Sequence, residues 1–171
     1  MGSLTQFELL LPELRAYARS LGEEADAAED LVHDAIERSL NSPNTPNALS
    51  ALRPWMFRII RNLQHDELRK RRVRREYMAT EQRLYGDGRR THDHARDVLI
   101  RLSYERLPPD KREILFLVDI MGLKYEEAGE VIGVATGTIM SRLSRARQAL
   151  REIIDDDVSE SPKVSNRTQG K

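Results

Sequence analysis

Apolar residues fall into helical register along most of this chain. Phe7, Leu10, Leu11, Leu14, Tyr17, Ala18 and Leu21 recur every three or four positions, and Gly22 supplies a stop. Ala28, Leu31, Val32, Ala35, Ile36 and Leu40 mark one face of a second helix, from about Asp26 to Leu40. "NSPNTPN" (Asn41–Asn47) interrupts the pattern with two prolines among Asn, Ser and Thr, and reads as a loop. A third helix is predicted from Pro54, which suits a first turn, to Arg75, with Trp55, Ile59, Ile60 and Leu63 inward. Periodicity is lost over 76–95, where "YGDGRRTHDH" holds two glycines among polar residues, as linkers do. It resumes near Arg96, breaks at "LPPD" (Leu107–Asp110) and continues through Ile114, Leu115, Leu117, Val118 and Ile120 to a stop at Gly122. Helices are then predicted over Tyr125–Ile132 and Thr136–Ile154, split by Gly133-Val134-Ala135. Beyond Asp155 the chain is polar and reads as a frayed tail.

Composition narrows the function classes. The chain has no cysteine, which excludes disulfides, thiol redox chemistry and cysteine metal sites. No apolar run approaches the roughly 20 residues of a membrane span, and the N-terminus lacks a signal pattern, so a cytoplasmic protein without membrane insertion is expected. The formal net charge of zero conceals segregation. Residues 1–52 carry nine acids and three bases, residues 53–77 carry nine bases and three acids, and residues 136–151 carry four bases and no acid. Separate charged surfaces imply separate partners, and two basic helical blocks point to nucleic acid.

Residues 125–150 follow a helix-turn-helix plan. Ala128 and Gly129 supply small residues where the helices cross, and Gly133 supplies a turn. Ile132, Val134, Ile139 and Leu143 would hold the angle. Thr138, Ser141, Arg142 and Arg145 share one polar face of the second helix, which would enter a major groove. Arginines there pair with guanine or hold phosphates, while an acid would repel the DNA backbone.

With those residues in view, "LPPDKREILFLVDIMGLKYEEAGEVIGVATGTIMSRLSRARQAL" resembles region 4 of bacterial RNA polymerase sigma factors of the extracytoplasmic-function (ECF, group IV) type. "AEDLVHDAIERSL" (Ala28–Leu40) is similar to their region 2.2, and "PWMFRIIRNLQHDELRKRR" (Pro54–Arg72) to regions 2.3–2.4. His33 stands where glutamine is usual, Ala135 and Thr136 depart from the usual start of the recognition helix, and Met140 replaces a residue often polar or basic.

The resemblance implies an all-α protein of two small helical domains. Residues 1–76 would form the region 2 bundle, 77–95 a flexible linker, 96–155 the region 4 helix-turn-helix domain and 156–171 a disordered tail. It implies a non-enzymatic factor, without cofactors, that binds core RNA polymerase at the β′ clamp helices and β flap and directs promoter-specific initiation. It further implies a monomer outside complexes, controlled by an anti-sigma factor. Positions matching the polymerase-docking segment are Asp30, Leu31, His33, Asp34 and Glu37, of which Leu31 also fits a core position. Positions matching the −10 reader are Asn41, Ser42, Asn44, Thr45 and Asn47 of the loop, then Trp55, Arg58, Arg61, Asn62 and Arg69. Trp55 fits either the core or a stacking platform. Positions matching the −35 reader are Thr138, Met140, Ser141, Arg142, Ser144 and Arg145, with Arg147 and Arg151 left to phosphates or water. His92, Asp93 and His94 are too few for a metal site. The competing readings are a stand-alone helix-turn-helix regulator, which leaves Ala28–Arg75 idle, an enzyme without a visible nucleophile–base pair, and a polymerase adaptor that reads no DNA.

Overall fold

The computed structural model describes residues 4–78 and 102–160, and all described secondary structure is helical. Helices α1 (Leu4–Ser20), α2 (Ala25–Leu40) and α3 (Leu49–Met78) pack as an N-terminal bundle. A helical stretch at 102–105 precedes α4 (Pro109–Leu115), which runs into a π-helical turn (Phe116–Ile120). Helices α5 (Tyr125–Ile132) and α6 (Thr136–Glu160) complete the C-terminal unit. The predicted linker at 77–95, with its histidines, lies outside the described residues apart from the end of α3.

The bundle follows the sequence periodicity. Phe7, Leu10, Leu14 and Tyr17 of α1 meet Ala28, Leu31, Val32 and Ala35 of α2 and Leu52, Met56, Phe57, Ile60 and Leu63 of α3 in the core. Gly22 ends the α1 turn at φ +90°, where a side chain would be strained. Helix α3 begins five residues before Pro54. The Ala48 carbonyl already accepts the N–H groups of Ala51 (3.0 Å) and Leu52 (2.8 Å), and burial of Leu52 holds that turn in the core. Pro54 is therefore interior to the helix, with its ring buried.

In the C-terminal unit Ile114, Leu117, Leu123, Ala128, Val131, Ile139, Leu143 and Ala146 are buried. The π turn, closed by Met121 N–H on the Phe116 carbonyl (2.8 Å), adds a residue to the register and turns Ile120 outward, against its predicted inward place. The predicted tail is corrected at its start: α6 continues to Glu160. Asp157 accepts a hydrogen bond from Ser103 Oγ (2.9 Å) and pairs with Arg106, which ties the last turns to the stretch before α4. These contacts hold the Asp157 carboxyl below the usual range, the Ser103 hydrogen bond first.

The two units share one continuous apolar core. Tyr17 stacks obliquely on Phe57 (4.8 Å between centroids) and approaches Phe116 of the π turn (6.1 Å). Its hydroxyl donates to Glu113 of α4 (2.8 Å), and Arg61 Nε of α3 donates to the same carboxylate oxygen (2.8 Å). Arg53 pairs with Glu13 and donates to the Met121 carbonyl (2.5 Å).

Candidate nucleic-acid interface

The helix-turn-helix is built as its residue types require. Lys124 N–H donates to the Glu127 carboxylate (2.8 Å), closing the first turn of α5. Gly133 ends α5 in the left-handed region at φ +79°, and its N–H reaches the Gly129 carbonyl (2.8 Å). At Gly129 a β-carbon would lie 2.8 Å from the Val134 carbonyl oxygen, so α5 and the turn approach as closely as only glycine permits. Helix α6 opens on the Ala135 carbonyl, which accepts from Thr138 (2.9 Å) and Ile139 (3.1 Å). Thr136 is its first helical residue.

Burial of Ile139, Leu143 and Ala146 fixes the outward face of α6 as Gly137, Met140, Ser141, Ser144, Arg145 and Gln148. Arg142 is exposed beside that face, and Thr138 is half-buried. The Ser141 hydroxyl donates to the Thr138 carbonyl (3.0 Å), and Arg145 Nε donates to the Ser141 carbonyl (3.2 Å). Arg147 is exposed but paired: it holds Asp119 through Nε (3.0 Å) and a terminal nitrogen (2.5 Å).

The residues matched to the −10 reader divide. Asn41, Asn44 and Asn47 are exposed on the loop, with Ser42 half-buried. Thr45 is buried, its hydroxyl donating to the carbonyls of Ser39 (2.5 Å) and Ser42 (3.2 Å), so it braces the loop from within. Gln6 Nε2 holds the loop to α1 through the Asn47 carbonyl (2.9 Å). Trp55 is half-buried against the core, while Arg58, Asn62 and Arg69 are exposed. Arg61 is engaged with Glu113, a side chain only 9% exposed. An open cleft of about 610 Å³ separates Arg58, Arg61 and Asn62 from Glu126, Glu130 and the 133–136 turn. The burial of Glu113 and its two cross-unit contacts had no signal in the local sequence.

On α2, Asp30, His33, Asp34 and Glu37 line one exposed face at positions i, i+3, i+4 and i+7. Leu31, named with them, is 6% exposed and belongs to the core. Glu29 beside them is held by Arg15 (2.8 and 2.6 Å), and its carboxyl lies below the usual range for that reason. No group of side chains able to hold a metal ion occurs among the described residues, and none of their helices is long and apolar enough to cross a membrane.

Comparison with known proteins accounts for both units. The Sigma-70 region 2 family matches residues 6–75, and the Sigma-70, region 4 family matches residues 98–150. The chain is 37% identical over 155 residues to the ECF RNA polymerase sigma factor EcfG of Rhodopseudomonas palustris, covering 88% of this chain and 83% of that protein. The sigma factor RpoE of Bartonella quintana, solved with the anti-sigma factor NepR, superposes with a TM-score of 0.74 at 32% identity, over 90% of this chain and 96% of the other. CnrH, solved with the cytosolic domain of CnrY, gives a TM-score of 0.59 at 25% identity, over 91% and 92%. The chain belongs to the ECF family of RNA polymerase sigma factors. It is a transcription initiation factor, and the region 2 match leaves no idle segment for a stand-alone regulator to explain.

Proposed function

We propose that each charged surface of this sigma factor serves one step of initiation. The acidic face of α2 (Asp30, His33, Asp34 and Glu37) docks on the β′ clamp helices of core RNA polymerase, and the 96–155 unit reaches the β flap. The loop residues Asn41, Ser42, Asn44 and Asn47, with Arg58, Arg61, Asn62 and Arg69, take the melted −10 strand, where amide and hydroxyl groups can pair with a base edge. Trp55 keeps only its outer edge for that strand. Helix α6 enters the −35 major groove with Thr138, Met140, Ser141, Arg142, Ser144 and Arg145. The observation that carries this reading is the outward face of α6: exposed, free of acids from Val131 to Arg151, and set at a glycine turn after a shorter helix.

The organisation proposed here, units 1–76 and 96–155, is supported by family matches over residues 6–75 and 98–150. One relative of similar fold, RpoE of Bartonella quintana, is held by the anti-sigma factor NepR, and another, CnrH, by the cytosolic domain of CnrY. The same kind of control, over a monomeric cytoplasmic factor, is proposed here. Run-off transcription with core polymerase and a genomic promoter library tests the whole. Initiation at a defined promoter class, suppressed by a NepR-type protein, is expected. Tight duplex binding without polymerase, together with no initiation, would overturn it.

A further inference from the structure

Met140 is 56% exposed, the one large apolar side chain so exposed on the described part of α6. It stands at the edge of the outward face, beside buried Leu143, and its exposed neighbours there are Gly137, Ser141 and Ser144. All three are small, so the thioether rises above them. Among the described residues it has no place in the apolar core, to which this helix gives Ile139, Leu143 and Ala146, with Ala149, Leu150 and Ile153 packed against them. Gly137 is equally unexplained from within. A β-carbon there would meet no atom within 4 Å, and its backbone is not left-handed. Glycine in a helix is nevertheless less favourable than alanine. An exposed apolar tip beside a missing β-carbon fits an external body that comes close at this point.

The surroundings specify that body. Arg142 and Arg145 are exposed on and beside the same face, and no acid occurs from Val131 to Arg151. Such a face attracts a polyanion rather than a second apolar protein surface. In a major groove the one apolar feature on a base edge is the C5-methyl group of thymine. Methionine, unbranched and polarisable, can lie over a methyl group without a fixed geometry.

We propose that Met140 determines specificity at the −35 element by packing on a thymine methyl group, with Gly137 giving the groove edge clearance. The proposal rests on the −35 reading of α6 and sharpens it to one contact. It also gives a reason for the departure from a polar residue at this position.

The test uses the reconstituted holoenzyme on its own promoter, with each thymine of the −35 element, on either strand, replaced singly by deoxyuridine. That change removes only the methyl group and keeps the base pair. One such replacement is expected to lower transcription about three- to fivefold, the worth of one buried methyl group. Met140→Ala should transcribe thymine and uracil promoters equally, and Met140→Leu should keep the difference. Gly137→Ala should unfold at the same or a higher temperature yet transcribe less. If uracil serves as well as thymine at every position, or if Met140→Ala keeps the difference, the contact is wrong. If scrambling the whole −35 element changes nothing, the −35 reading of α6 fails with it.

Discussion

Arg145 and Arg147 lie two residues apart on α6 and differ in what holds them. Arg145 stays on the outward face, braced by the Ser141 carbonyl, and Arg147 is turned to Asp119. Sequence spacing alone could not separate them, because the partner of Arg147 comes from a π turn 28 residues earlier. Arg145→Ala should therefore cost roughly 1–3 kcal/mol of promoter discrimination and relax preference at one −35 base. Arg147→Ala should leave base preference intact and lower stability by about 0.2–1 kcal/mol, as exposed pairs do. Transcription from promoters varied base by base, alongside thermal unfolding, reads both effects. Equal loss of base preference in the two variants would contradict the geometry.

Tyr17 and Tyr104 give the fold a direction of pH response. Burial is the first cause that raises Tyr17 well above its ordinary value of 10.0, with the Glu113 carboxylate adding to it. Burial likewise pushes Tyr104 up to about 12. Both hydroxyls keep their protons in the folded chain at a pH where the unfolded chain has lost them. The unfolded state then binds fewer protons, so stability falls with rising pH. It is expected to be full below about pH 10 and to decline from there through pH 12. Urea unfolding across that range checks it, and Tyr17→Phe should flatten the decline. A midpoint that stays level in the wild-type protein would show that both rings ionise freely.

At the scale of elements, α2 presents two faces that the sequence mixes. Asp30, Asp34 and Glu37 are exposed, and Leu31 is in the core one residue away. The 3.6-residue period resolves this face, which is why the helices and most of the core were legible in the sequence. Boundaries were less so: the start of α3 depends on Leu52 finding the core, and the end of α6 on Ser103 and Arg106 holding Asp157. Thr45 was read as a base contact because its polarity is visible, whereas its bond to the Ser39 carbonyl is not. The two faces of α2 separate in experiment. Asp30→Arg and Asp34→Arg should each weaken core polymerase binding several-fold, mainly through slower association, with unfolding unchanged. Leu31→Ala should instead cost about 2–5 kcal/mol of stability. If both reversed aspartates together bind polymerase normally, α2 docks by another face or not at all.

For the whole molecule, the Glu113 carboxylate joins the two units. It accepts from Tyr17 of α1 and Arg61 of α3 while belonging to α4. Arg61 is also among the proposed −10 contacts, and its side chain is 18% exposed in this arrangement. Arg61 cannot keep its Glu113 bond and also offer the same guanidinium edge to a melted strand. Opening of the ion pair and engagement of the −10 strand are then one coupled event, with Glu113 as the competitor of DNA for Arg61. Glu113→Gln preserves shape but removes the charge that holds Arg61. It should lower stability by about 1.5–3 kcal/mol, the usual worth of a hydrogen bond to a charged group. It should also raise the affinity of the free protein for single-stranded −10 DNA. Two comparisons isolate the cause. Glu130→Gln removes a charge from the same cleft without touching Arg61 and should raise that affinity less. Arg61→Ala in the Glu113→Gln background should cancel the gain. Fluorescence anisotropy with a labelled −10 oligonucleotide, taken over a salt series, measures all four proteins. If Glu113→Gln binds no better than wild type, Arg61 is a bolt between the units and takes no part in holding the strand.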